Sequence, residues 1–211
     1  MKRTKHILLG VTASIAIYKA CEIVRKLIKA NIGLSVVMTA NATRLISSQV
    51  FSSLIGSQEH PTKRGLSYRV YPVRKKALVQ GNISLSNGVY WDEFTIPNNY
   101  TMEHISLAKR ADLVLIAPAT ANIIGKIANG IADDLLSTTV MATKAPIIIA
   151  PAMNENMYGN KIVQANIQKL KSLGYKFIQP LVSRLACGDI GEGHLAEVDT
   201  IIKTVKKQLS L

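Results

Sequence analysis

The residues best suited to chemistry follow apolar runs that end abruptly. The clearest case is the apolar run 147–150, which is followed by Pro151, Ala152, Met153 and Asn154. Ligands of open parallel sheets bind just beyond the carboxyl ends of the strands, and this segment has that arrangement. The Asn154 amide could cap the helix that follows or face a ligand, and the local sequence leaves both interpretations open.

A second stretch of this kind follows the first apolar run. Gly10 ends a predicted strand, and Thr12 and Ser14 come before a predicted helix. Backbone N–H groups at a helix start favour anions, and the two hydroxyls add donors. The further glycines of a dinucleotide fingerprint are missing, as is the lysine of a nucleotide-triphosphate loop, which favours a monophosphate. The alternative is that Thr12 or Ser14 simply caps the helix.

Small residues and hydroxyls also follow the apolar run 111–117. Ala119 and Thr120 would let a flat ring or a phosphate approach the backbone there. Three successive hydroxyl residues then occur in a predicted helical stretch, namely Ser137, Thr138 and Thr139. Such side chains compete for backbone hydrogen bonds and rarely stabilise helix interiors, so a ligand wall is a reasonable hypothesis beside a purely structural one.

Two further residues could transfer protons. His104 lies at a predicted helix start, and its ordinary pKa suits a general base, although such a histidine is often only a polar surface residue. Cys187 lies in a glycine-rich stretch that predicts a flexible lid over about 180–195. A thiol there could donate a proton or act as a nucleophile; the alternative is a turn with an incidental cysteine. No pairing of histidine with cysteine or carboxylate has metal-ligand spacing, so we predict no metal site.

The elements that must position these residues alternate between strand and helix. Strands are predicted at 6–10, 34–39, 111–117, 146–150 and 175–178, and helices at 14–30, 41–54, 121–142 and 155–173. This order predicts a doubly wound α/β fold, Rossmann-like or flavodoxin-like, with a parallel sheet covered by helices on both faces. We expect a single domain over residues 1–211.

One segment does not fit this alternation. Residues 57–88 are rich in lysine, arginine, glycine and proline, and carry one acidic residue, Glu59. A loop of that length is uncommon inside a compact domain, so we expect a mobile basic insertion.

Composition limits the remaining classes. The net charge is +13, but the lysines are scattered and aromatic residues make up only 5%, so we expect no nucleic acid partner. No apolar run is long enough to span a bilayer, and we expect no membrane partner. Two cysteines, Cys21 and Cys187, do not make a disulfide framework, which favours the cytoplasm. Cys21 falls in an amphipathic helix and is most simply a core residue.

Six motifs in order resemble a known family. They are GVTASIAIYK at 10–19, HISL at 104–107, ADLVLIAPATAN at 111–122, NGIADDLLSTT at 129–139, PAMNENM at 151–157 and LACGDIGEG at 185–193. Together they resemble the homo-oligomeric flavin-containing cysteine decarboxylases over almost the whole chain except residues 57–88.

The resemblance implies FMN as cofactor and phosphopantothenoylcysteine as substrate, in coenzyme A biosynthesis. The family's flavin oxidises the cysteine side chain to a thioaldehyde, CO₂ leaves, and FMNH₂ reduces the enethiol, giving 4'-phosphopantetheine. Carried over by position, the flavin contacts would be Gly10, Thr12, Ser14, Thr39, Ser106, Ala119, Thr120, Ser137, Thr138 and Thr139.

The resemblance also implies roles at the substrate. His104 would be the active histidine, Asn154 would bind the carboxylate, and Cys187 would donate the proton of the final reduction. Met153, Met157 and Ala186 would complete the substrate site. The family further implies a homotrimer or a homododecamer with active sites between subunits.

The chain departs from the family pattern at several positions. Tyr158 replaces a usual tryptophan, and His194 replaces an arginine or lysine of the lid, which puts any phosphate contact there in doubt. The alternatives within the fold are a peptidyl-cysteine oxidative decarboxylase, which would not need Cys187, and a flavin prenyltransferase, whose first loop differs. Outside enzymes, the alternative is a flavin-binding regulatory subunit.

Overall fold

A six-stranded parallel sheet organises the chain. The computed structural model describes residues 4–56, 88–91, 103–184 and 190–211. The strands are β1 His6–Val11, β2 Gly33–Met38, β3 Gly88–Trp91, β4 Leu113–Ala119, β5 Ile147–Pro151 and β6 Lys176–Phe177. They lie in the order β3-β2-β1-β4-β5-β6, and every pair is parallel. The predicted doubly wound α/β fold is confirmed.

Helices cover both faces of this sheet. They are α1 Ile17–Lys29, α2 Ala40–Leu45, α3 Ser48–Gly56, α4 Glu103–Arg110, α5 Ala121–Ala128, α6 Leu135–Ala142, α7 Glu155–Gly159, α8 Lys161–Ser172 and α9 Val198–Leu209. Neighbouring residues of β1 show why both faces are needed. Ile7 and Leu9 pack in the cluster that includes α1 and α9, whereas Leu8 packs in the cluster that includes α5, α6 and α8. All three are fully buried, which explains why the central strands are continuously apolar.

Three of the predicted helices each correspond to two shorter helices in the structure. The prediction 41–54 divides at Ile46, whose backbone is extended (φ −144°, ψ 136°). The prediction 121–142 divides after Asn129, where Gly130 takes a positive φ of 68°. The prediction 155–173 divides at Asn160, whose side-chain oxygen accepts the Ile162 N–H (2.9 Å) and starts a new helix.

The sequence prediction missed three features of the carboxyl-terminal third and one edge strand. Strand β3 was not predicted, nor was helix α9. The predicted lid at 180–195 is flanked by two strands, β7 Leu181–Arg184 and β8 Ile190–His194, which pair antiparallel. The predicted flexible loop is therefore wrong for residues 181–184 and 190–194, which form the two strands. The predicted insertion 57–88 lies outside the described residues except for Gly88, which pairs with Ser35.

Among the described residues, no helix has the length and apolar character needed to cross a membrane.

Candidate functional site

The carboxyl ends of β1 and β4 are joined by one side chain. The Thr12 hydroxyl donates to the Pro118 carbonyl (2.7 Å), and the Thr120 N–H donates to the same hydroxyl (3.1 Å). Thr12 is buried. Its hydroxyl therefore satisfies backbone groups that would otherwise lie unpaired where the two strands diverge.

The chain turns at Ser14 before α1 begins. Ser14 N–H donates to the Thr12 carbonyl (2.9 Å), and the Ser14 carbonyl accepts the Ile17 N–H (2.9 Å). The helix begins at Ile17 and not at Ser14, as the sequence had predicted. Its N-cap residue, Ala16, makes no side-chain cap, and the first turn holds no acidic residue. The positive end of the helix dipole is thus not neutralised by its own first turn.

Asn154 caps a helix and also lies where it could meet a ligand. It is the N-cap of α7, and its Oδ1 accepts the Asn156 N–H (2.9 Å). The same residue lines a cavity at the carboxyl ends of the strands. The cap fixes which end of the amide is the acceptor, so the capping bond also orients the Nδ2 group.

The cavity lies beyond β1, β4 and β5 and has a volume of about 520 Å³. This size is typical of small-molecule sites, as is a largely apolar wall with a few polar groups. The wall consists of Ala13, Ser14, Ile15, Ala16, Tyr18, Thr120, Ala152, Met153, Asn154, Met157, Gly193, His194 and Leu195.

Five of the predicted site residues meet in this wall. They are Ser14, Thr120, Met153, Asn154 and Met157. Three different strand ends contribute them, so residues far apart in the chain converge on one space.

Other predicted contacts lie elsewhere or serve the fold. Thr39 caps α2, since its Oγ1 accepts the Ala42 N–H (3.3 Å). A Cβ on Gly10 would lie 2.6 Å from Leu136 Cδ1, so this glycine makes room for α6. Ser106 is exposed on α4, and His104, in the first turn of that helix, is not among the described residues of the cavity wall. Ala119 is fully buried in β4, beside the wall residue Thr120.

The three successive hydroxyls are engaged within α6. Ser137 and Asp134 form a capping box, in which the Ser137 N–H donates to Asp134 Oδ1 (2.8 Å). The Thr138 hydroxyl donates to the Asp134 carbonyl and the Thr139 hydroxyl to the Leu135 carbonyl, each at 2.7 Å. Both predicted roles remain open for these residues, because each hydroxyl oxygen can accept another bond.

Asp134 is also held by a lysine. Lys126 Nζ lies 2.8 Å from Asp134 Oδ2 and 2.6 Å from Asp133 Oδ1. Burial alone would raise the pKa of the Asp134 carboxyl, but hydrogen bonds from Lys126 and Ser137 outweigh it and hold that pKa below its ordinary value. This carboxylate therefore stays ionised and fixes the start of α6.

Sequence reasoning missed part of the wall. Ile15 and Tyr18 belong to it although both are strongly exposed, at 75% and 61%. His194 ends β8 and faces the same cavity. The sequence analysis placed His194 in the lid and left any phosphate contact there in doubt; recognising the hairpin would have predicted its place in the wall, since β8 brings the end of the lid segment to the site. Ala186 and Cys187 lie outside the described residues. Among the described residues, no group of histidine, cysteine and acidic side chains could hold a metal ion.

Comparisons with known proteins now identify the family. A family model described as Flavoprotein matches residues 1–210. The chain belongs to the flavoprotein family. One family relative, the Coenzyme A biosynthesis bifunctional protein CoaBC of Bacillus subtilis, is 39% identical over 210 residues, which are 100% of this chain and 44% of that protein. The chain thus spans less than half of that relative.

A relative of the same length also exists. The "Probable phosphopantothenoylcysteine decarboxylase" of Streptococcus mutans is 38% identical over 208 residues, covering 98% of this chain and 99% of that protein.

Solved structures of the family agree with the fold. A Cys→Ser mutant of PPC decarboxylase complexed with pantothenoylaminoethenethiol has a TM-score of 0.75 and 26% identity, covering 99% of this chain and 100% of that chain. The FMN binding protein AtHal3 has a TM-score of 0.72 and 27% identity, covering 97% of this chain and 96% of that chain.

The cavity fits a flavin. Ala13, Ala16 and Ala152 leave a shallow apolar wall against which a flat ring could lie. On another side lie the Ser14 hydroxyl and the amino end of α1, whose dipole no acidic residue of the first turn neutralises, and both favour a phosphate. One cavity therefore combines an apolar surface for the flavin ring with a helix start that favours the phosphate.

Proposed function

We propose that this chain is an FMN-dependent phosphopantothenoylcysteine decarboxylase that forms 4'-phosphopantetheine in the cytoplasm. One observation carries the proposal: Asn154 lines a largely apolar cavity that also includes Ser14 and Ala16 at the start of α1, where no acidic side chain neutralises the helix dipole. The relative of equal length and its name support the choice of substrate.

The cofactor site is the wall between Ser14 and Thr120. The Ser14 hydroxyl and the positive end of the α1 dipole would hold the FMN phosphate, and Thr120 would contact the same nucleotide. When bound, FMN would supply reversible two-electron redox chemistry, which the oxidation of the substrate thiol and the later reduction of the product both need. The AtHal3 structure, named as an FMN binding protein, supports FMN over other flavins.

Asn154 suits a substrate that must lose its carboxylate. Its Oδ1 is bonded to the Asn156 N–H, so Nδ2 is the end that can donate to a carboxylate oxygen. A neutral donor orients the carboxylate without the strong ground-state stabilisation of a cation. The apolar wall disfavours the ionised group, and this favours the departure of neutral CO₂.

A substitution at Asn154 tests this role. Asn154→Asp keeps a good N-cap but places a negative charge against the substrate carboxylate, so turnover should fall by at least 100-fold. Asn160→Asp is the matched control, because Asn160 caps α8 with the same 2.9 Å geometry away from the cavity. Steady-state CO₂ release compares the two. Similar turnover of both variants would contradict the assignment.

Cys187 and His104 complete the proposed chemistry. By position in the family motifs, Cys187 donates the proton that the enethiol takes up during its reduction, and His104 assists at the thiol. We expect Cys187→Ser to release CO₂ and then accumulate the oxidised enethiol, which mass spectrometry would detect two mass units below phosphopantetheine. Complete conversion to phosphopantetheine by this variant would contradict the role of Cys187.

The cavity rim supports an oligomer. Ile15, Tyr18 and Met157 are exposed at 75%, 61% and 48% and lie around the same opening. Apolar side chains grouped at a site rim are typical of surfaces that another molecule covers. We propose that a second copy of the chain covers them in a trimer, which could further assemble into a dodecamer. Such a neighbour could also bring His104 to the site.

The decisive experiment follows product mass and flavin absorbance together. The purified protein, reconstituted with FMN, should be yellow and convert phosphopantothenoylcysteine into phosphopantetheine, about 44 mass units lighter through the loss of CO₂. The oxidised enethiol intermediate would be about 46 units lighter than the substrate, and its reduction restores the two missing hydrogens. A protein that does not bind FMN, or one that stops at the enethiol, would overturn the proposal. Turnover of a peptide with a carboxyl-terminal cysteine would instead indicate the peptidyl-cysteine alternative.

A further inference from the structure

The hairpin strand β8 is attached to the loop that carries Asn154. The Met153 N–H donates to the Gly193 carbonyl (2.9 Å). Met153, Asn154 and Gly193 all belong to the cavity wall. The backbone on one side of Asn154 is therefore fixed by a residue about forty positions later in the chain.

A β-bulge makes this contact possible. Leu181 pairs with His194 and Val182 pairs with Glu192, so Gly193 is the extra residue on β8. A bulged residue leaves the regular ladder of its own hairpin, and bulges often re-aim groups next to active sites. Here the Gly193 carbonyl is turned towards Met153.

The approach is too close for any side chain at this position. A Cβ on Gly193 would lie 2.2 Å from the Met153 carbonyl oxygen and 3.4 Å from the Asn154 carbonyl carbon. Both are backbone atoms, so the loop itself would have to move. A Cβ on Gly191 would also clash, at 1.5 Å from Glu155 Oε2 and 2.7 Å from Glu155 Cβ. Gly191 thus allows close approach of a side chain, whereas Gly193 allows close approach of the backbone of the loop.

Asn154 is held on its other side by its own cap. Its Oδ1 accepts the Asn156 N–H, and Met153 before it is bonded to β8. We propose that Gly193 is a positioning residue: its bulged backbone holds the loop 152–154 so that the Asn154 amide meets the substrate carboxylate. This inference rests on the proposed function.

The proposal predicts that replacing Gly193 weakens the binding of ligands that carry the carboxylate and spares those that lack it. In Gly193→Ala the displaced loop should raise the KM for phosphopantothenoylcysteine at least tenfold. The Kd for the product phosphopantetheine, which lacks the carboxylate, should change less than twofold by calorimetry on the FMN-loaded protein. Gly159→Ala, the control, should leave both values within twofold of the native protein, because a Cβ at the end of α7 would meet nothing within 4 Å.

A double-mutant cycle tests whether Gly193 affects catalysis through Asn154. If Gly193 acts through Asn154, then Asn154→Ala/Gly193→Ala should lose no more kcat/KM than Asn154→Ala alone. Additive losses would overturn the inference, as would an unchanged KM in folded Gly193→Ala or equal losses for substrate and product.

Hydrogen exchange gives a readout that does not need turnover, and its first part uses only the native protein. The Met153 amide should exchange slowly in the native protein, and Gly193→Ala should accelerate it while core strand amides stay protected. Fast exchange of the native Met153 amide would overturn the inference even if Gly193→Ala fails to fold. Failure of the native protein to decarboxylate would instead count against the proposed function, because the exchange result does not depend on it.

Discussion

At the scale of single residues, the same polar side chains support the fold and face the site. Asn154 caps α7 and also lines the cavity, so the predicted cap is confirmed, and the predicted ligand donor stays a prediction that the cap does not contradict. Thr12 shows the opposite outcome: it is buried, and both of its bonds go to backbone groups of the neighbouring strand end. Residue type and position predicted where these side chains lie, but not what their oxygens bind.

Replacing Thr12 measures the value of that link. Thr12→Val keeps the shape but leaves the Pro118 carbonyl and the Thr120 N–H without their partner, which should cost about 1–3 kcal/mol of unfolding free energy. Urea denaturation measures the loss. Thr43→Val is the control, because the Thr43 hydroxyl bonds the Ala40 carbonyl in an exposed place. An equal small loss in both variants would show that Thr12 does not tie the strand ends together.

At the scale of elements, periodicity predicted the strands and helices that share one buried face, and missed those defined by turns. The central strands β1, β2, β4 and β5 were found because their apolar runs are buried on both sides. The hairpin β7–β8 was missed because its glycines suggest a loop, whereas Gly193 is used for close approach to Met153. Single interruptions such as Gly130 and Asn160 divided helices whose apolar pattern continued past them.

The start of α6 offers a pH test of one element. Because hydrogen bonds from Lys126 and Ser137 lower the pKa of folded Asp134, its stabilisation is complete above the unfolded pKa of about 3.9 and is lost as pH falls through the lower folded pKa. Asp134→Ala should cost about 1 kcal/mol at pH 7. It should also reduce the loss of stability on acidification below pH 4.

Two further variants separate the stability that comes from the N-cap of α6 from the stability that comes from the Asp134 charge. Asp134→Ser keeps the cap acceptor and should retain most of the stability at pH 7 while losing the acid dependence. Asp133→Asn removes only the more exposed partner of Lys126 and should change stability little. Denaturation curves at pH 7 and pH 3 test all three. If Asp134→Ser still loses as much stability as the native protein between pH 7 and pH 3, the loss is due to another titrating group.

At the scale of the whole molecule, the exposed apolar rim predicts self-association. Sedimentation velocity should show a trimer or a multiple of it. Tyr18→Glu places a charge in the covered rim and should shift the protein towards monomer, with weaker FMN retention because Tyr18 lines the cavity. Ile162→Glu is the control, since Ile162 is also strongly exposed, at 72%, and lies on α8 outside the described cavity wall. A native monomer that retains FMN would contradict the oligomer proposal.

The sheet ends at β6, which pairs with β5 through only Ile148–Lys176 and Ile149–Phe177. An edge this short, beginning with an exposed lysine, offers few free backbone groups to an incoming strand. Copies of the chain will therefore not extend the sheet from one molecule to the next along this border. Contacts between copies along this border are therefore left to side chains, and this limits fibrous aggregation through that edge.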